Sequence, residues 1–132
     1  MSARYHAVVW IDHREARIFY FDSHAADGRT VRSESLTPHL HHKASSIGDG
    51  RAAEDHDFLQ RTAVALADAA AILITGPANE KTELAKHIER HDPALLKRIV
   101  GVETLDHPSD PALVAAARAY FRADHQAPPR SP

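Results

Sequence analysis

The 132-residue sequence predicts a single α/β domain built around a mixed sheet. Three observations predict it. The first forty residues carry β-rich runs separated by turn-type residues. From about Glu54 the apolar residues recur at helical spacing. Short apolar runs at 71–75 and 99–105 then interrupt the helical stretches. A chain of this length is one domain by size and buries about two-thirds of its unfolded surface without covalent staples.

Taken in order, Tyr5 to Ile11 is an apolar, β-branched and aromatic run, and Asp12-His13-Arg14-Glu15 is a polar break. Ala16 to Phe21 alternates, so the two runs read as a hairpin. Asp27-Gly28 reads as the next turn, and Thr30 to Leu36 as a third strand near a sheet edge. Residues 38–54 hold Pro38, Gly48 and Gly50 among polar residues and histidines, which predicts a long flexible loop. Phe58, Leu59, Ala63, Leu66 and Ala70 place an amphipathic helix over about 54–70. Ala71 to Thr75 is a buried strand stopped by Gly76-Pro77, and Asn79 caps a helix running to Arg90 or His91 before Pro93. Ile99 to Leu105 is the last strand. Ser109 or Asp110 starts a final helix, with Pro111 near its first position and Leu113, Ala117, Tyr120 and Phe121 on its inner face. The domain spans 1–123, and 124–132 is expected to be a disordered tail.

The order β-β-β-α-β-α-β-α suits a five-stranded mixed sheet: a three-strand meander, then two strands parallel to the first, with helices on both faces. That is the ribonuclease H-like arrangement. A doubly wound parallel fold would need a helix between the first strands.

Composition narrows the function. Sixteen basic and eighteen acidic residues leave a formal charge of −2, unlike a protein that coats DNA through many phosphate contacts. The absence of cysteine removes disulfides and thiolate sites. No apolar run approaches the roughly 20 residues that span a bilayer, and the N-terminus lacks the apolar stretch of a signal peptide. A cytoplasmic location without membrane contact is expected. Eleven histidines make the charge sensitive to pH across the cellular range.

The hairpin Val8-Val9-Trp10-Ile11-Asp12-His13-Arg14-Glu15-Ala16-Arg17-Ile18, the strand and turn Ile72-Leu73-Ile74-Thr75-Gly76-Pro77, the helix start Lys81-Thr82-Glu83-Leu84 and the strand Arg98-Ile99-Val100-Gly101-Val102 resemble the middle domain of class-1 archaeal and eukaryotic release factors and Pelota. The sequence also resembles short, stand-alone bacterial translational machinery proteins named after that superfamily. The resemblance covers roughly residues 5–122 and implies a role at the ribosome or on RNA. It does not imply release chemistry. Where release factors carry Gly-Gly-Gln to position water at the peptidyl ester, this sequence has Ser46-Ile47-Gly48-Asp49-Gly50-Arg51. Pelota also lacks the tripeptide, so the resemblance implies a non-hydrolytic role.

Site residues follow from chemistry. His41, His42, Lys43 and Arg51 in the loop, with Lys81 and Lys86 beyond it, are the candidate contacts to ribosomal RNA or tRNA, the glycines at 48 and 50 letting backbone amides approach a phosphate. The loop has no aromatic residue for base stacking. Lys81, Lys86, Arg90, Lys97 and Arg98 make a basic stretch diluted by Glu80, Glu83, Glu89 and Asp92. His39, His41 and His42, with Asp55 and His56 nearby, are donors suited to zinc, nickel or copper, but their spacing matches no standard structural zinc site. No metal or cofactor is therefore expected. Asp12, Glu103 and Asp106 are the carboxylates that a two-metal nuclease of this topology would use. Asp12 equally suits a hairpin turn, where aspartate accepts from its own backbone. The expected function is a non-enzymatic accessory protein of the translation machinery binding ribosome or tRNA. The alternatives are a divalent-metal nuclease and a protein-interaction module, such as a homodimer through an open sheet edge.

Overall fold

The structure, a computed structural model, describes residues 5–34 and 49–126, the side chains of 49–55 and 123–126 excepted. Strands β1 (His6–Ile11), β2 (Glu15–Phe21) and β3 (Ala26–Arg32) come first, followed by helix α1 (Asp49–Ala65) and strand β4 (Ala71–Gly76). Helices α2 (Glu80–His91) and α3 (Pro93–Leu96), strand β5 (Ile99–Thr104) and helix α4 (Asp110–Gln126) complete the order. The sheet runs β3-β2-β1-β4-β5. β1 pairs antiparallel with β2, and β2 with β3, while β4 lies parallel to both β1 and β5. This is the mixed five-stranded sheet that the element order predicts.

Period-two alternation along the central strands builds two cores. Ala7, Val9 and Ile11 of β1 and Ile72 and Ile74 of β4 face one side, under Phe58, Leu59 and Ala63 of α1, Leu66 just after it, and Leu84 and Ile88 of α2. Val8, Trp10 and Leu73 face the other, under Leu113, Val114, Ala117 and Phe121 of α4. Both central strands are therefore apolar on both faces, as strands sandwiched between helices must be. A one-residue slip between β4 and β5 sets Ile72 opposite Ile99 and Leu73 opposite Gly101, leaving Val100 as the extra residue of a bulge. The edge strands are wetter: β3 is exposed along nearly its whole length, and Val100 and Val102 of β5 are exposed.

Five local features depart from the sequence reading. The turn before β3 is Asp22 to Ala25, not Asp27-Gly28. Asp22 Oδ1 accepts the amides of His24 and Ala25, both at 2.8 Å, and closes an Asx-type turn. Gly28 instead sits within β3, where an added Cβ would run into the Phe19 ring, so its glycine serves a close approach rather than a turn. The strand is thus shifted towards the N-terminus of the expected Thr30–Leu36. α1 begins at Asp49, so Asp49-Gly50-Arg51 is its first turn and the helix takes 49–54 from the expected loop; 38–48 lies outside the described residues. α4 runs on to Gln126, past the expected end of the domain at 123. Asn79 holds the cap position of α2 without a side-chain capping bond; its carbonyl accepts from Thr82 and Glu83 instead. The short α3 has no counterpart in the sequence reading. Asp92 caps it, accepting the Leu95 amide at 3.2 Å, with Pro93 at its first position.

Two contacts hold the carboxyl ends of the strands together. The Cβ of any larger residue at Gly76 would collide with the Ile11 carbonyl oxygen, so β4 approaches the end of β1 only because position 76 has no side chain. The Trp10 indole N–H is shared between the carbonyls of Leu105 and Asp106, at 3.1 and 2.9 Å, tying β1 to the segment after β5. Arg17 stacks over the Trp10 ring at 4.7 Å and binds Asp110 at 2.5 Å and the Pro108 carbonyl at 2.8 Å. The start of α4 is therefore fixed to β2 by a cation.

Candidate functional site

The carboxyl ends of parallel strands form the edge where open α/β sheets usually bind ligands. Asp12, Glu103 and Asp106 all lie along it. Asp12 Oδ1 is engaged locally, accepting the amides of Arg14 at 2.9 Å and Glu15 at 3.0 Å, which is the hairpin-turn role. Glu103 is exposed, and the Asp106 side chain, 96% exposed, lies 3.6 Å from the ring of its neighbour His107. The ligand-type side chains that the described residues bring within common reach are three histidines, not these carboxylates.

The basic residues divide between faces. In α2 the buried stripe is Leu84, His87 and Ile88. Lys81 flanks that stripe and turns its ammonium back to the Ala78 carbonyl at the helix entrance. Lys86 stands about 140° further round the helix, exposed on the outer face with Arg90 one turn on. Lys97 is exposed beyond α3. Arg98 is a structural residue. Its guanidinium donates to the carbonyls of Ala67 at 2.8 Å and Ala69 at 3.2 Å, where the chain leaves α1. A cation there also suits the negative end of a helix. Of the sequence-predicted basic stretch, Lys86, Arg90 and Lys97 remain outward-facing. His39, His41, His42 and Lys43 lie outside the described residues, as does the side chain of Arg51.

The histidines that do meet are His56 of α1 and His87 and His91 of α2. One ring nitrogen of each lies within 4.8 Å of the others. The ring centroids of His87 and His91 are 4.4 Å apart, and that of His56 is 5.8 Å from His87 and 6.3 Å from His91. His87 is 7% exposed, whereas His56 and His91 stand at the surface. A ring nitrogen of His87 (Nε2) is 2.9 Å from Gln60 Oε1, one turn along α1 from His56. Burial, followed by the neighbouring His91 and His56 and by Arg90, holds the His87 imidazole below its ordinary pKa and favours the neutral ring. The sequence contained the signal for half of this cluster, since His87 and His91 are four apart in a predicted helix and so share a face. Nothing in the sequence announces that His56 faces them across the α1–α2 contact.

The fold is similar to that of proteins of known structure. It is similar to Archaeoglobus fulgidus Pelota, with a TM-score of 0.62 and 12% identity over 89% of this chain and 32% of that one. It is similar to the Thermoplasma acidophilum Pelota protein, with a TM-score of 0.61 and 16% identity over 88% of this chain and 32% of the other. The archaeal translation termination factor aRF1 matches with a TM-score of 0.57 and 13% identity, over 85% and 33%. The chain thus spans about a third of the length of each of these proteins, and its architecture agrees with the middle domain of Pelota. No family model matches the chain, and no curated protein matches it. Among the described residues, no helix is long and apolar enough to cross a membrane.

Proposed function

We propose that this protein is a non-catalytic accessory factor of the translation machinery that contacts the ribosome or tRNA. The observation that carries the reading is the fold, which is similar over nearly the whole chain to two Pelota proteins and to a translation termination factor. The contacting parts are residues 38–48 with the start of α1, bearing His41, His42, Lys43 and Arg51, and the outer face of α2, bearing Lys86 and Arg90. Lys81 contributes at the entrance of α2. The stretch Ser46 to Arg51 replaces the Gly-Gly-Gln of release factors, and its last three residues enter α1. The stretch has no glutamine, and among the described residues the carboxylates Asp12, Glu103 and Asp106 form no metal-holding group, which favours contact over bond cleavage. A cytoplasmic site of action accompanies this reading.

The test is co-sedimentation with purified ribosomes. Removing residues 39–48, which stops short of α1, is expected to abolish co-sedimentation while the circular dichroism spectrum keeps its helix and strand content. Pelleting at the wild-type level after that deletion would remove the segment from the interface. Cleavage of RNA by the intact protein with magnesium or manganese, lost on Asp12→Asn, would replace the binding reading with the nuclease one.

A further inference from the structure

We propose that His56, His87 and His91 form a binding site for one borderline divalent cation of the zinc, cobalt or nickel class, held by three imidazole nitrogens with a fourth position open to water or an outside ligand. This does not depend on the translation reading, because it rests on side chains that none of the proposed contacts uses.

The donors are all nitrogen. Imidazole selects zinc, cobalt, nickel and copper, whereas magnesium and calcium take oxygen ligands. The topology supplies the geometry. His87 and His91 are one turn apart on α2, the i, i+4 spacing with which helical histidines chelate zinc, and His56 completes the set from α1. Zinc–nitrogen bonds of about 2.0–2.1 Å in a tetrahedron put ligand atoms about 3.3 Å apart. The three nitrogens already lie within 4.8 Å of one another, so closure needs shifts of no more than about 1.5 Å. The two outer rings supply that movement, since His56 and His91 are exposed and His87 is the buried one.

Gln60 prepares the buried ligand. With His87 Nε2 donating to Gln60 Oε1 at 2.9 Å, Nδ1 carries the lone pair. A hydrogen-bonded second ring nitrogen of this kind fixes the tautomer in most metal-bound histidines. Three protein ligands and one open position are the coordination pattern of catalytic zinc sites, in contrast to closed four-ligand structural ones. Glu89 stands two residues after His87, not directly after it as in the metalloprotease motif, so the sequence supplies no general base of that type. A bound cation would clamp the first half of α1 to the end of α2. It would thereby join the helix that follows the 38–48 segment to the helix that carries Lys86 and Arg90.

The site is tested by isothermal titration of the full chain with zinc, backed by the visible spectrum of the cobalt-loaded protein. One equivalent is expected, with tetrahedral cobalt absorption and a raised Tm. His56→Ala and His91→Ala, both exposed positions, are expected to weaken binding on the order of tenfold or more with unchanged circular dichroism. The variant His39→Ala, His41→Ala, His42→Ala is expected to bind as the wild type does. The proposal is overturned if the wild type takes up no stoichiometric zinc, if His56→Ala and His91→Ala bind normally, or if the triple variant loses the site.

Discussion

Single side chains join distant segments of this domain. Trp10 is buried to 1% exposure, and its indole N–H meets two carbonyls from the segment after β5. Trp10→Phe keeps an aromatic ring in the core but leaves both carbonyls without that donor and weakens the Arg17 stack. A loss of about 1–2 kcal/mol in urea unfolding is expected; a loss indistinguishable from zero would mean that water replaces the indole freely. Asp22 offers a pH test. The amides of Ala25 and then His24 hold its carboxyl below the ordinary aspartate range. A depressed folded pKa favours folding above the unfolded value, and that contribution disappears as pH falls through the folded one. A carbon-detected NMR titration is therefore expected to place the Asp22 midpoint below about 3.9. A midpoint at or above that value would contradict the turn.

At the scale of elements, most of the architecture is legible in the sequence because it rests on periodicity. The runs of β1, β2, β4 and β5 alternate or stay apolar as sandwiched strands do, and the structure moves their ends by a residue at most. The departures have local causes. Asp27-Gly28 has the composition of a turn, but the turn chemistry falls to Asp22, whose carboxylate reaches two amides at once. Gly28 is left to serve the Phe19 contact instead. The start of α1 is hidden because Gly48 and Gly50 signal a loop, whereas the helix begins at Asp49 and carries Gly50 in its first turn. Gly76 does stop its strand as the sequence predicts, and the structure adds that it lies against the Ile11 carbonyl. Gly76→Ala should therefore cost about 1–3 kcal/mol by overpacking, measured as a lower midpoint in urea. An unchanged midpoint would mean that β1 and β4 separate at that point without penalty.

For the molecule as a whole, the sequence discloses a fold more readily than a site. The ordered hairpin, strand and turn motifs lead to the Pelota-like architecture that the structural likeness bears out. Site residues divide differently. The carboxylates suggested by topology are spread along one edge of the sheet, one of them spent on a turn. The basic stretch separates, with Arg98 bound to the turn that follows α1 and Lys81 and Lys86 on different sides of α2. The histidine cluster is only half visible in the sequence, because helix packing rather than spacing brings His56 to His87 and His91. A side chain's neighbours across an interface have no signature in its own element.

The proposed contact with the translation machinery is tested most directly by charge reversal. Lys86→Glu with Arg90→Glu alters the outer face of α2 without touching its buried stripe. Ribosome co-sedimentation of the intact protein should fall as salt rises, as phosphate contacts require. The double variant should pellet several-fold less than wild type at equal salt, with unchanged Tm. Equal pelleting of wild type and variant, or no pelleting of the wild type at low salt, would rule out ribosome binding through this face.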